Sequence, residues 1–283
     1  MQTILRSKTK TVKIDTQGPM TIIGEKINPT GRKKLAAALQ ESNMDYVREL
    51  AQKQIDWGAD ILDVNVGVPG IDDVALLPKV VQMLADEFDI PLCIDTPNPK
   101  ALAAALKVAP GKVLVNSVNG EEASLKAVLP LVKEHGAAVI GLVMDDNGIA
   151  NEPETRCKIA GKILERAAKL GIPAEDVVID VLVLTVGADS YAGAVTLKTI
   201  ELVKKEFSVN INLGASNVSF GLPDRDTINM GFLSVAIAAG ATCAITDPNK
   251  YTAGIRAVDL LLGRDAYAGR YIKFFRAHPL EKK

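Results

Sequence analysis

Short apolar runs alternate with longer segments of helical periodicity along most of the chain. In the longer segments apolar residues recur at every third or fourth position, as Val47, Leu50, Ala51 and Ile55 do within Asn43–Trp57. One run and one helical segment together occupy about 30 residues, the size of a βα unit. The predicted strands are Met20–Gly24, Asp60–Asn65, Pro91–Asp95, Lys112–Asn116, Ala137–Met144, Val177–Val181, Val209–Leu213 and Ala241–Thr246.

Eight predicted strands that alternate with helical segments are typical of an α/β protein with a parallel sheet. We predict a closed (β/α)8 barrel of the TIM type rather than an open doubly wound sheet. Gly58, Gly136, Gly171 and Gly240 each follow a helical segment directly, where a glycine commonly ends a helix. No linker rich in Pro, Ser and Gly divides the chain, so we expect one barrel domain.

Two flanking segments do not follow the repeat. Thr9–Asp15 alternates between polar and apolar residues and ends in a turn cluster at 16–19, which predicts a hairpin strand packed against the barrel. The tail 264–283 carries several aromatic residues and is expected to pack on the outside. The predicted segments are therefore 1–19 for the extension with its short hairpin, 20–263 for the barrel and 264–283 for the tail.

The composition excludes several classes of protein. The 283 residues are 48% hydrophobic and 24% charged, with a formal net charge of -1, so a basic nucleic-acid groove or a polybasic membrane patch is not expected. No apolar run reaches the roughly 18 to 20 residues of a membrane span. Cys93, Cys157 and Cys243 are odd in number and lack zinc-ligand spacing, and no secretory signal precedes the first turn. We expect reduced thiols, no protein-bound metal and a cytoplasmic location.

Polar side chains recur at the point where each predicted strand ends. Any one of them could cap the next helix or make a turn. Recurrence on all eight strands instead favours a functional site at the barrel mouth, the face on which such enzymes bind their substrates. These residues are Glu25, Lys26, Asn28, Asp63, Asn65, Asp95, Thr96, Asn116, Asn119, Asp145, Asp146, Asp180, Asn217 and Asp247.

The predicted mouth is rich in carboxylates and amides, with Lys26 and Arg225 as its only expected cations. No P-loop and no dinucleotide-binding glycine motif occurs in the chain. Carboxylates and amides suit a neutral heterocycle that offers several N–H donors and ring-nitrogen acceptors. One ionised Asp can accept two N–H bonds from an amidine-like edge.

Five motifs in this order and spacing resemble the pterin-binding barrel superfamily. Within it the chain resembles the methyltetrahydrofolate:corrinoid methyltransferases, over about Met20 to Leu262. The motifs are Ile23-Gly24-Glu25-Lys26-Ile27-Asn28, Asp63-Val64-Asn65-Val66-Gly67, Cys93-Ile94-Asp95-Thr96, Val115-Asn116-Ser117 and Ser216-Asn217-Val218-Ser219.

The resemblance implies roles for individual residues. Asp95, Asn116 and Asp180 would hold the pterin ring through its amino and amide edge, while Asn217 would reach the nitrogen that carries the methyl group, with Arg225 close behind. The candidate catalytic residues are Asn217, Asp180 and Arg225. Asp180 is expected to bind the ring and to orient a water chain. Because a carboxylate exposed at an open mouth should be ionised, it is the less favoured candidate for an acid. The remaining predicted pterin-pocket residues are Glu25, Asn28, Asp63 and Asn65.

The implied reaction moves a methyl group between N5 of methyltetrahydrofolate and the cobalt of a corrinoid by in-line displacement. The metal supplies the nucleophile, so the protein is left to stabilise the departing nitrogen, as a side-chain amide can do. The chain lacks a corrinoid motif of the Asp-x-His-x-x-Gly kind, so cobalamin is expected on a separate protein partner. The resemblance also implies a homodimer.

Two other functions are compatible with a pterin pocket. Dihydropteroate synthase would need a Lys near the seventh strand and an Arg-x-His on the last strand, whereas here the last strand ends in Thr246, Asp247 and Pro248. A non-catalytic pterin-binding subunit that docks a corrinoid protein would not need Asn217 and Asp180. Transfer of the methyl group to cobalamin separates an enzyme from such a subunit.

Overall fold

Eight parallel strands form a closed barrel in the computed structural model, which describes residues 1–279. Neighbouring barrel strands pair in sequence order, and the eighth barrel strand pairs with the first barrel strand. Backbone hydrogen bonds close the ring, from Thr242 N to the Ile211 carbonyl at 3.0 Å and from Ile245 N to the Leu213 carbonyl at 2.9 Å. The predicted barrel is confirmed. Its strands are β3 Thr21–Ile27, β4 Ile61–Val64, β5 Leu92–Asp95, β6 Leu114–Asn119, β7 Ala138–Leu142, β8 Val177–Asp180, β9 Ile211–Asn212 and β10 Cys243–Thr246.

Helices surround this barrel and pack their apolar faces on the outer side of the strands. Side chains of Asn43, Asp72, Asn98 and Asp247 accept hydrogen bonds from the first turns of their helices. No helix within 1–279 is long and apolar enough to cross a membrane. The helices are α1 Lys33–Gln40, α2 Met44–Asp56, α3 Asp73–Glu87, α4 Pro99–Leu106, α5 Glu122–His135, α6 Pro153–Lys169, α7 Ala192–Phe207, α8 Arg225–Ala239, α9 Pro248–Leu261 and α10 Gly269–Ala277.

A hairpin fills the amino-terminal end of the barrel. Its strands, β1 Gln2–Arg6 and β2 Thr11–Asp15, run antiparallel. Leu5 and Ile14 are fully buried and pack with the inward-facing side chains of the barrel strands. The predicted N-terminal hairpin is confirmed, and its first strand begins earlier in the chain than the alternating pattern indicated.

The buried amide of Asn210 fastens this hairpin. Its Nδ2 donates to Thr3 Oγ1 and to the Ile14 carbonyl, both at 2.9 Å. Since Asn210 directly precedes β9, the hairpin lies at the end opposite the strand-end acids and amides. It therefore leaves the carboxyl end of the barrel open.

The C-terminal segment packs beside α9 and α2. His278 stacks on Trp57 with ring centroids 4.3 Å apart. On α9, both oxygens of the buried Asp259 carboxylate share the N–H of Met20 in a bifurcated hydrogen bond. The last four positions of the predicted tail, 280–283, lie outside the described residues.

Candidate functional site

Four predicted site residues form two hydrogen-bonded pairs on three adjacent strands. Asn65 follows β4 and donates from Nδ2 to Asp95 at 2.9 Å, while Asn116 on β6 donates to Asp63 at 3.2 Å. The parallel register places Asp95 directly beside Asn116. Asp95 and Asn116 also line one cavity of about 500 Å³. The structure therefore brings these four side chains together at one side of the mouth.

Burial changes the charge of this group. Desolvation, followed by the neighbouring Asp95 carboxylate, raises the pKa of Asp63 to about 8. Burial also raises the pKa of Asp95, although the Asn65 donor opposes this shift. Because the charge of Asp95 disfavours ionisation of Asp63, Asp63 retains its proton near neutral pH. The cluster can consequently donate as well as accept hydrogen bonds.

Asp180 ends β8 and is buried, which corrects the expectation of an exposed carboxylate. It accepts hydrogen bonds from Asn212 Nδ2 at 2.6 Å and from Leu182 N at 2.8 Å. Desolvation raises the pKa of Asp180 to about 6, opposed by these two donors and by the charge of Arg156. Asp180 is thus mostly ionised at neutral pH, but it becomes protonated in mildly acidic solution.

Asn217 lies in a short 3-10 helix, Ala215–Ser219, directly after the strand-end residues of β9. Its side chain is exposed, and the side-chain amide makes no hydrogen bond within residues 1–279. The preceding residue, Ser216, donates from Oγ to Glu25 at 2.8 Å. The amide of Asn217 is therefore available to a ligand at the rim of the mouth.

Arg225 fixes the loop that carries Asn217. Its Nη2 donates to the Ser216 carbonyl at 2.6 Å, and its Nε donates to Ser219 Oγ at 3.0 Å. Ser219 Oγ donates in turn to Asn229 at 2.7 Å. Arg225 thus holds the loop in position, and its predicted role in catalysis stays a prediction.

Other strand-end residues serve the local backbone. Asn28 Oδ1 accepts from Thr30 N, Asn119 Oδ1 from Glu121 N, and Asp145 Oδ1 from Asn147 N. Asp247 caps α9 and contacts Lys26 Nζ. Asn28, Asn119 and Asp145 thus stabilise turns and Asp247 caps a helix, which is the alternative role considered for strand-end polar residues. Asp247 and Lys26 also line the mouth.

Several residues that the sequence did not single out belong to the site. Asn212 is fully buried beside Asp180, and Tyr251 and Asn229 continue the hydrogen-bond chain from Ser219. A polar residue inside an apolar strand was the available signal for Asn212. Three more cations also reach the mouth, so the expectation of only Lys26 and Arg225 is wrong; they are Arg32, Lys53 and Lys250.

The arrangement combines buried acids and amides with one exposed amide. Such a group can bind a flat heterocycle by its N–H and ring-nitrogen edge while a donor at the rim addresses a reacting atom. No cluster of three or more potential metal ligands occurs in the part of the chain that the structure describes.

Comparison with known proteins gives two kinds of similarity. A family model described as pterin binding enzyme matches residues 24–247. The methylcorrinoid:tetrahydrofolate methyltransferase of Eubacterium limosum is 30% identical over 265 residues, which cover 91% of this chain and 96% of that protein. Methionine synthase of Mycobacterium tuberculosis is 31% identical over 242 residues, 81% of this chain but 20% of that protein.

Solved structures share the fold at lower identity. Yersinia pestis dihydropteroate synthase in a sulfonamide drug complex superposes with a TM-score of 0.72 at 17% identity, covering 92% of this chain and 99% of that one. Coxiella burnetii dihydropteroate synthase with pteroic acid gives a TM-score of 0.69 at 16% identity. Similarity at this identity extends to the fold alone.

Proposed function

Because the chain belongs to the pterin-binding enzyme family, we propose that it is a methyltransferase acting between N5 of methyltetrahydrofolate and a corrinoid. The resemblance inferred from the five motifs is confirmed at the family level. The similar protein of Eubacterium limosum is named as a methylcorrinoid:tetrahydrofolate methyltransferase and aligns over nearly its whole length. The site observation that carries the proposal is the exposed side-chain amide of Asn217, which has no hydrogen-bond partner within residues 1–279, at the same mouth as the buried and half-buried acids and amides.

The pterin ring would be held by its amino and amide edge. Asp180 already accepts one hydrogen bond at each carboxylate oxygen, and each oxygen retains a second acceptor site. An ionised Asp180 could accept the ring N–H and amino hydrogens in parallel. Asp95 and Asn116, which share a cavity, would contact the remaining polar atoms of the ring.

Asn217 would stabilise the nitrogen from which the methyl group departs. A reduced corrinoid supplies the nucleophile for this transfer. As the N5–methyl bond breaks, its electron pair stays on N5, and the Nδ2 hydrogens of Asn217 can donate to that pair. A donor held in position before the reaction stabilises the transition state more than the substrate.

The corrinoid would arrive on a separate protein. Asn217 and the neighbouring Phe220 are exposed, with Phe220 showing 68% of its surface, so a large partner can approach the rim. The loop between them is braced by Arg225 rather than by a contact that would cover the amide. The homodimer stays a prediction from the resemblance, and the cytoplasmic location stays a prediction from the sequence.

A methyl-transfer assay tests the proposal. The protein is mixed anaerobically with methyltetrahydrofolate and cob(I)alamin, and the cob(I)alamin absorbance is followed; the reverse reaction uses methylcobalamin and tetrahydrofolate. We expect protein-dependent transfer in both directions. Pterin binding without any transfer to free cobalamin or to a corrinoid protein would contradict the proposal and favour the non-catalytic subunit. Condensation of a pterin pyrophosphate with p-aminobenzoate would favour dihydropteroate synthase.

A further inference from the structure

A basic recess lies beside Asn217, on the side of the mouth formed by β3, β10 and α2. It consists of two adjoining cavities of about 240 and 210 Å³, which share Lys26, Arg32 and Asp247. Five basic and three acidic side chains line them together, an excess of two positive charges. The cations are Lys26, Arg32, Lys53, Arg225 and Lys250; the acids are Glu25, Asp226 and Asp247.

Three of these cations are weakly compensated. Lys26 contacts Asp247, and Lys250 pairs with Asp226 at 2.8 Å. By contrast, Arg32 lies 3.7 Å from Glu25, and Lys53 and Arg225 have no carboxylate partner within residues 1–279. The recess is therefore short of negative charge and can accept an anion without losing the existing ion pairs.

Gln54 forms part of the wall of the recess. Its side chain lines the recess and is 2% exposed, and its Oε1 accepts a hydrogen bond from Lys26 N at 2.8 Å. Its Nε2 is buried with no hydrogen-bond partner within residues 1–279 and is out of reach of a ligand in the recess. The contribution of Gln54 to the recess is therefore the hydrogen bond that holds the backbone of Lys26 in place.

We propose that this recess binds the glutamate carboxylates of the folate tail and selects substrates with several glutamates. This rests on the proposed function, in which Asn217 reaches N5. The tail is attached to C6, the ring carbon next to N5, so it leaves the pterin beside Asn217. Ser216 and Arg225 line the recess at that point. A tail with one glutamate carries two carboxylates and each further γ-linked glutamate adds one, so a longer tail brings more negative charge to the five cations of the recess.

The opposite side of the mouth does not offer such a path. The cavity beside Asp95 and Asn116 contains no Lys or Arg among its lining residues and includes Glu121. Coulomb attraction thus favours a path of the anionic folate tail from the pterin toward Arg32 and Lys53. Because Lys53 is exposed and Arg32 is partly exposed, the attraction should weaken as ionic strength rises.

Binding measurements with three ligands test the assignment. The ligands are 6-methyltetrahydropterin, which has no tail, monoglutamyl tetrahydrofolate and triglutamyl tetrahydrofolate. Relative to the parent, Arg32→Gln combined with Lys53→Gln should weaken triglutamyl binding by about tenfold and monoglutamyl binding by about threefold. Binding of 6-methyltetrahydropterin should not change. Lys107→Gln, at the opposite end of the barrel, is the matched control and should alter none of the three affinities.

The outcomes separate this inference from the proposed function. If the parent and the double variant bind both folates with equal affinity, the recess does not bind the glutamate tail. Methyl transfer by the parent would then leave the proposed function in place. An equal loss for all three ligands also overturns the assignment of the recess, because the effect would then lie in the pterin site. If the parent binds none of the three, both proposals are wrong.

Discussion

Asn212 donates a 2.6 Å hydrogen bond from its amide to the carboxylate of Asp180, its direct neighbour on the adjacent parallel strand. Both side chains are buried, and the thiol of Cys243 lies 3.4 Å from the other end of the same amide. A short bond from a neutral donor favours the ionised form of a buried carboxyl. Asn212 thereby keeps an otherwise desolvated acid available as an anion.

Replacing Asn212 should move the pH dependence of pterin binding. In the parent, affinity for 6-methyltetrahydropterin should fall as pH decreases through about 6, because protonated Asp180 loses acceptor capacity. Asn212→Leu removes a donor that lowers the Asp180 pKa, so the fall should be centred at a higher pH. Calorimetric titrations between about pH 5 and 8 measure the midpoint. Asp180→Asn should abolish the step, whereas an unshifted midpoint in Asn212→Leu would contradict the role given to this amide.

Asn217→Ala should lower the rate of methyl transfer by about 100- to 1000-fold, the usual effect of losing one preorganised donor. The affinity for 6-methyltetrahydropterin should change little, since the amide acts on the breaking bond. Single-turnover kinetics with cob(I)alamin separate the two quantities. Asn147→Ala removes another exposed amide from a loop on the same face and is the matched control. Full turnover in Asn217→Ala would show that N5 is stabilised by another group.

Asp63 should make the free energy of unfolding depend on pH. Its pKa is raised from 3.8 to about 8 in the folded state, so between these values the folded protein binds more protons than the unfolded chain. Stability should therefore decrease as pH rises from about 4 to about 8. Asp63→Asn keeps an acceptor for Asn116 and removes the ionisation, and should be the more stable form at pH 8 by on the order of 1–3 kcal/mol.

Thermal unfolding at about pH 4.5 and pH 8 measures this difference. The advantage of Asp63→Asn should largely vanish at the lower pH, where the parent carboxyl is protonated in the folded state. Asp146→Asn, a change at an exposed carboxylate on the same face, should leave both melting temperatures unaltered. A destabilised Asp63→Asn at pH 8 would mean that the carboxylate is charged and needed in the fold.

The sequence predicted the barrel and much of the candidate site because both follow from local patterns. Apolar runs locate the strands, and Asp95 or Asn116 at a strand end must face the mouth of a parallel barrel. The hydrogen bond from Asn212 to Asp180 could not be predicted from a local pattern, since it depends on the register between two neighbouring strands. Arg32 and Lys53 come from a loop and a helix, and only the folded chain shows that they reach the mouth.

Arg156 is a buried cation whose described partners are backbone carbonyls. Its Nε donates to Ala150 at 2.7 Å, and its Nη1 donates to Val181 at 3.0 Å and Leu182 at 2.8 Å. It thus joins the segments that follow β7 and β8. Its positive charge also lowers the pKa of Asp180, against the larger effect of burial.

Arg156→Met should therefore have two separable effects. Loss of three hydrogen bonds to backbone carbonyls should lower the free energy of unfolding by about 3 kcal/mol, measured by urea denaturation. Loss of the charge should raise the pH at which 6-methyltetrahydropterin binding is half lost. Arg156→Lys keeps the charge but not the planar fork, so it should be destabilised while retaining nearly the parent midpoint. If Arg156→Met shows the parent midpoint, Arg156 acts on the loops alone and Asp180 does not sense its charge.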